Sequence, residues 1–369
     1  MNFQEEFRNK DVARGLVAGI RNAIQSIPPV VLPVRLMEVC GSHTMAICRY
    51  GIRQLLPKPL RLLSGPGCPV CVTTGDYIDK AVALARIPGV VVTSFGDLFK
   101  VPGSTSSLEK ERAGGAAVEV MFSPIEAVRI ARDNPAKKVV FLGIGFETTI
   151  PAVAIAIKEA AGQGVENFSV LSGHKLMPPA LRALAEGGTR VNGFICPGHV
   201  STIIGMHPYE FIARDYRIGC VIAGFEPLDI LQSIHMLLRQ IKDGEPAVEN
   251  QYTRLVRPEG NRAGQAMINE VFEPVDVAWR GLGVIPGSGL RIREQFAAHD
   301  TERTIEFAPE PTVEKPGCIC GEILQGIKTP YDCPLFGKYC TPAGPVGPCM
   351  VSTEGCCAAS YKYLEPMKR

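Results

Sequence analysis

A chain of 369 residues is long for one hydrophobic core, and its length predicts two or three domains. Hydrophobic residues make up 46% and charged residues 21%, an ordinary globular balance. A net charge of +2, with one Trp and 7% aromatic residues, gives no electrostatic or stacking basis for nucleic-acid or anionic-membrane binding.

The N-terminal stretch MNFQEEFRNKDVARGLVAGI is charged and lacks the apolar core of a signal peptide. No apolar run reaches the roughly 20 residues that span a membrane. The expected address is therefore cytoplasmic, where thirteen cysteines read as metal ligands or redox groups rather than structural disulfides. Cys48 and Cys220, in helix-like and strand-like apolar surroundings, read instead as small buried residues.

The first strand is VRLMEV (34–39), followed by CGSHTMAIC, where a helix begins. Cys40 at that junction faces the positive end of the helix, which is expected to lower its pKa and make it a better ligand or nucleophile. His43 lies one turn away, able to accept a proton or hydrogen bond. The next strand, LRLLS (60–64), runs into GPGCPVC, whose Cys68 and Cys71 are spaced for a disulfide or for joint metal ligation. A helix at 76–87 and strands at 89–95 and 116–122 follow, and the segment NPAK (134–137) is read as a division.

Strands at 137–145, 167–173, 191–196 and 219–225 alternate with helices at 148–161 and 227–243. Their turns carry Glu147 in GFETT, His174, and Cys196 with His199, all held as cleft-lining positions; the default for Glu147 is capping of the helix after it. Strand-then-helix alternation predicts an α/β protein of two similar doubly wound parallel-sheet domains, 1–135 and 136–248. Ligands bind such sheets at the carboxyl ends of strands, where these cysteines and histidines fall.

Beyond about residue 250 the chain turns polar and then rich in Cys, Gly and Pro, with little material for a core of its own. Residues 249–369 are expected to form a Cys-rich C-terminal domain. Cys318, Cys320, Cys333, Cys340, Cys349, Cys356 and Cys357 lack the paired knuckles of a zinc finger. Their irregular spacing favours an iron–sulfur cluster, with structural zinc as the alternative. Four ligands from seven candidates leave three cysteines, among them a spare pair for a redox relay.

Together, CGSHT, GPGCPVC, GFETT, PGHVS and the terminal EGCCAASYKY resemble the HypD family of hydrogenase maturation factors, through nearly the whole chain. The resemblance implies a scaffold, rather than a turnover enzyme, for assembly of the Fe(CN)2CO unit of [NiFe]-hydrogenases. It implies a complex with the chaperone HypC, cyanide supplied through HypE, and indirect service to the large hydrogenase subunit. By the same resemblance Cys40 ligates the transient iron beside His43, and Cys68 and Cys71 are a redox pair. Cys318, Cys333, Cys340 and Cys357 would hold a [4Fe–4S] cluster, with Cys320 and Cys349 as a second pair, as in ferredoxin:thioredoxin reductase. The family tail commonly has one cysteine before AA; here Cys356 and Cys357 are adjacent, so Cys356 is the alternative fourth ligand. The competing function is a cluster-dependent thiol–disulfide reductase acting on another protein.

Overall fold

The computed structural model describes residues 6–187, 190–313 and 315–363, and within them each strand expected between 34 and 225 is present. In chain order these are β1 (Val34–Glu38), β2 (Leu60–Ser64), β3 (Val90–Ser94), β4 (Val118–Val120), β5 (Lys138–Gly143), β6 (Phe168–Ser172), β7 (Gly193–Pro197) and β8 (Gly219–Ala223). A short further strand, β9 (Val248–Asn250), was not expected. One sheet has the order β2-β1-β7-β8-β9 and the other β4-β3-β5-β6, and every pairing in both is parallel.

Two parallel sheets are thus present, but they do not divide the chain where expected. Residues 134–137 lie between β4 and β5, inside the second sheet, where Val140 of β5 pairs with Val92 of β3. The first sheet is assembled from both sides of that insertion: Leu36 pairs with Leu62 on one side and with Gly193 on the other. The reason is physical. Hydrophobic periodicity marks each strand–helix unit, but which strand lies beside which is decided by tertiary packing.

Both sheets are covered on both faces, so their strands read as near-continuous apolar runs. Alternation still sorts the side chains. Leu36 packs outward with Ile20 and Ile24 of helix Lys10–Gln25 and with Ile230 and Ile234 of helix Pro227–Asp243. Its neighbour Met37 faces inward. In the second sheet Val139 and Phe141 pack against helices Pro124–Asp133 and Ile150–Gln163, while Val140 and Leu142 face inward. Met37, Val140 and Leu142 share a central core with Cys68, Cys71, Cys349 and Cys356. The tail is therefore wedged into the core between the sheets.

The region after 250 holds more regular structure than its polarity indicates. β10 (Phe272–Trp279) and β11 (Gly283–Ile292) form an antiparallel hairpin. Pro286, Gly287 and Gly289 disguise the second strand, which is instead fixed by tertiary bonds: Trp279 donates to Ser288 Oγ at 2.8 Å, and the Leu176 amide donates to the Ser288 carbonyl at 2.8 Å. At the hairpin tip, Arg280 donates from its amide to Val72 O and from Nε to Thr73 O, both at 2.9 Å. The Cys-rich tail has only short helices, Cys320–Leu324, Pro348–Val351 and Cys356–Tyr363. Among the described residues no helix is long and apolar enough to cross a membrane.

Candidate functional site

The carboxyl ends of β1, β3, β5 and β7 converge on a cleft of about 260 Å³, whose walls include Cys40, Ser42, Phe95, Thr149, His199 and Glu354. Cys40 caps helix Gly41–Arg49 from an extended conformation, and Cys68 does the same for helix Pro69–Val72. The two loops touch through backbone. Gly41 N donates to Gly67 O at 2.9 Å, and a Cβ on Gly67 would fall 2.0 Å from Cys40 N. Only glycine permits that approach, which is why CGS and GPGC occur together.

Cys40 is 7% exposed. Burial pushes its thiol up to about 12, assisted by the Glu354 carboxylate, and the amides of His43 and Ser42 only partly oppose this. The expected lowering by the helix terminus is therefore overturned: desolvation in the closed cleft outweighs the amide dipoles. Such a thiol gives up its proton to a metal rather than to water. Beneath it, Glu38 accepts from the Cys40 amide at 3.2 Å and from Thr44 Oγ1 at 2.5 Å.

Burial raises the Glu38 carboxyl to about 8, opposed by Thr44, Ser64, Arg53 and the Cys40 amide. The folded chain then keeps a proton that the unfolded chain releases near pH 4.5, so stability falls as pH rises through that window. Buried His43 and His174, lowered to about 4 and about 3 by desolvation, act in the opposite sense only below pH 6.5. Between pH 6.5 and 8, Glu147, raised to about 7, adds to the fall at the lower end and Lys175, lowered to about 8, begins to oppose it at the upper end; the Glu38 share of the fall in urea midpoint is the equivalent of about 2 kcal/mol. Glu38→Gln flattens the fall; an equally steep decline in that variant counts against this origin.

Cys68 and Cys71 are both buried, with Cys71 Sγ donating to Cys68 Sγ at 2.7 Å. Burial and the neighbouring Cys71 raise the Cys68 thiol well above its ordinary range. From Cys71 the sulfur contacts continue into the tail: Cys71 to Cys349, Cys349 to Cys320 and Cys356, and Cys320 to Cys357. Cys318 donates to Cys320 Sγ at 3.3 Å. Cys333 lies 3.9 Å from Gly317 O, and Cys340 Sγ accepts from the Val346 amide at 3.3 Å. Among the described residues no three Cys, His, Asp or Glu side chains stand as a ready-made metal site. The tail thiols, all free, lie close to one another instead. Their donor set is nonetheless all sulfur. A Cβ on Gly347 would fall 2.6 Å from Cys318 Sγ and 2.9 Å from Cys320 Sγ, so the backbone there is shaped around sulfur. These features fit a metal site held by cysteine thiolates.

The remaining positions separate. His199 lines the cleft, exposed and stacked on Phe225 at 4.0 Å. His174 is buried against Phe272 instead, and Cys196 sits in the strand core beside Cys220. Glu147 does not cap the helix after it: its Oε1 accepts from Met177 N at 2.9 Å, at the start of helix Met177–Glu186, and burial raises it to about 7. Cys48 and Cys220 are buried, as read from sequence. Sequence reasoning missed Glu354, which accepts from Ser42 Oγ at 2.5 Å and closes the cleft beside Cys40. The one signal was its place in EGCC, which drew attention only to the cysteines.

Comparison with known proteins agrees with the motifs. A family model described as HypD, hydrogenase formation hypA family, matches residues 11–364. The hydrogenase maturation factor HypD of Azotobacter vinelandii is 49% identical over 371 residues, covering 98% of this chain and 97% of its own. The Rhodobacter capsulatus HypD is 46% identical, covering 98% of both chains. The Cupriavidus necator HypD is 45% identical, covering 98% of this chain and 97% of its own.

Proposed function

Because this chain belongs to the HypD family of hydrogenase maturation factors, we propose that it is the scaffold on which the Fe(CN)2CO unit of [NiFe]-hydrogenases is assembled. The observation that carries this reading is the line of sulfur contacts from Cys68 and Cys71, buried behind the Gly67, Pro69 and Val70 side of the cleft, through Cys349 and Cys320, to Cys318 and Cys357. Cys40 stands on the same wall, held against the GPGC loop.

In this reading the iron is cargo, and Cys40 is its anchor. A soft thiolate suits low-spin iron(II) carrying cyanide and CO. The iron displaces the Cys40 proton that burial otherwise retains. Release of cyanide from a donor thiocyanate needs two electrons. The Cys68–Cys71 dithiol supplies them: the S–CN bond breaks, the donor sulfur and the cyanide take up the two protons and two electrons, and a Cys68–Cys71 disulfide forms. Cys349 and Cys320 then reopen that disulfide by thiol exchange, becoming oxidised in turn. Cys318, Cys333, Cys340 and Cys357 would hold a [4Fe–4S] cluster, which would supply the electrons one at a time. The proposed partners are a HypC-type chaperone receiving the iron and a HypE-type donor presenting cyanide at the cleft.

Anaerobically purified protein should show infrared bands of bound CN and CO. Their absence, with rapid reduction of a protein disulfide, would establish the thiol–disulfide reductase instead. Cys340→Ala should also lose the thiolate-to-iron absorbance near about 400 nm and loosen the tail, since metal binding supplies folding energy where little core exists. Full iron content with unchanged stability would remove Cys340 from the ligand set.

A further inference from the structure

The turn after β8 makes contacts that the scheme above does not use. His43 Nε2 lies 3.2 Å from the carbonyl oxygen of Ala223 and 3.0 Å from that of Gly224. A carbonyl can only accept, so Nε2 carries the ring proton. The other nitrogen, Nδ1, is buried and meets no hydrogen-bond partner among the described residues. Phe225, next in the turn, is sandwiched between two rings, stacking on His43 at 4.7 Å and on His199 at 4.0 Å.

The turn is itself held from behind. The Gly224 amide donates to Gln251 Oε1 at 3.0 Å, and Gln251 Nε2 donates to Asp229 Oδ1 at 2.8 Å. Asp229 is 1% exposed, and both terminal nitrogens of Arg254 donate to it, one at 2.9 Å. The Glu226 amide donates to its other oxygen at 3.1 Å. Each link has one possible donor and one possible acceptor, so the chain from Arg254 to His43 has a fixed direction.

We infer that Gln251 is a positioning residue for His43: acting through Gly224, it locks the ring as the Nε2–H tautomer and keeps Nδ1 a bare acceptor. Without a fixed carbonyl opposite Nε2, the neutral ring interconverts between tautomers. In the other form Nδ1 is a donor, which can neither ligate iron nor take up a proton. The use made of that lone pair rests on the proposed function; the tautomer lock does not.

The test uses the full chain, with its cluster, labelled with ¹⁵N-histidine. His43 is assigned by its loss in His43→Gln. The native protein should show pyrrole-type Nε2 and pyridine-type Nδ1 for His43. Gln251→Leu keeps the volume but removes the hydrogen bonds to Gly224 and Asp229, and should give mixed tautomers, with iron affinity reduced by the competent fraction, about twofold for an even mixture. Gln232→Leu is the control: Gln232 Oε1 accepts from Gln251 Nε2 at 3.2 Å, and its loss leaves the Gly224 contact intact, so the His43 signals should not move. Arg254→Gln, nearer the surface, should produce a milder mixture and decides the matter if Gln251→Leu does not fold. A native His43 protonated on Nδ1, or unchanged His43 signals in the folded Gln251→Leu or Arg254→Gln variant, overturns the inference. Native protein without iron counts against the proposed function and leaves the tautomer result standing.

Discussion

Cys40→Ala should yield a folded protein that retains its tail chromophore and carries no CN or CO bands. The side chain ends in a cleft, so its loss creates no cavity in the cores on the outer faces of the sheets. The backbone bonds that hold the CGS turn against Gly67 use amide groups that alanine keeps. No sulfur contact links Cys40 to Cys71 or the tail, so the relay should survive. What disappears is the sole thiol on the β1 wall of the cleft. Because burial holds that thiol protonated, serine is no substitute: its hydroxyl is harder and less acidic still. Expected results are infrared silence, unchanged absorbance near about 400 nm, and a shift in thermal midpoint within about 2 °C. Retention of diatomic-ligated iron by the variant would remove Cys40 as the anchor.

Cys68→Ser and Cys71→Ser should each block cyanide transfer while the cluster stays in place. Free thiols already in contact at 2.7 Å need only a small approach to form a disulfide on a turn with this C-x-x-C spacing. Peptide mapping of mildly oxidised native protein should find Cys68 joined to Cys71, and reductant should open the bond. The two substitutions differ in a useful way. Cys71 touches Cys349, so Cys71→Ser also disconnects the cleft from the tail, whereas Cys68→Ser leaves Cys71 able to form a mixed disulfide with Cys349. A trapped Cys71–Cys349 link in Cys68→Ser alone is the expected signature. Both thiols free in every redox state, with iron lost on substitution, would assign them to direct ligation instead.

All strands of both sheets but the short edge strand β9 were legible because their apolar runs and following helices carry local periodicity. The pairing of β1 with β7 was not, since nothing local to Leu36 indicates Gly193 as a neighbour. The hairpin β10–β11 escaped because Pro286 and two glycines argue against a strand, and its stability comes from Trp279 and Ser288 bonding across it. At the site, Cys40, Cys68 and Cys71 stood out by residue type and by the glycines beside them. Glu354 did not, because its partner Ser42 is more than 300 positions away. The sign of the Cys40 shift was also beyond reach from sequence: a helix terminus can be read from local pattern, but the degree of closure above it depends on β3, β5 and the tail together.

The insertion of one sheet within the other has a consequence for biosynthesis. After β2 leaves the ribosome, β1 still lacks its partner β7, and the whole second sheet must be translated before Gly193 appears. At typical elongation speeds that delay is on the order of ten seconds. Throughout it, Cys40, Cys68 and Cys71 belong to a two-stranded fragment with one unsatisfied edge, and the tail that closes over them is made last of all. Vectorial synthesis thus leaves the reactive thiols open to solvent, oxidants and stray metal until the tail has been made. Slow folding from the long-range pairing follows from topology alone.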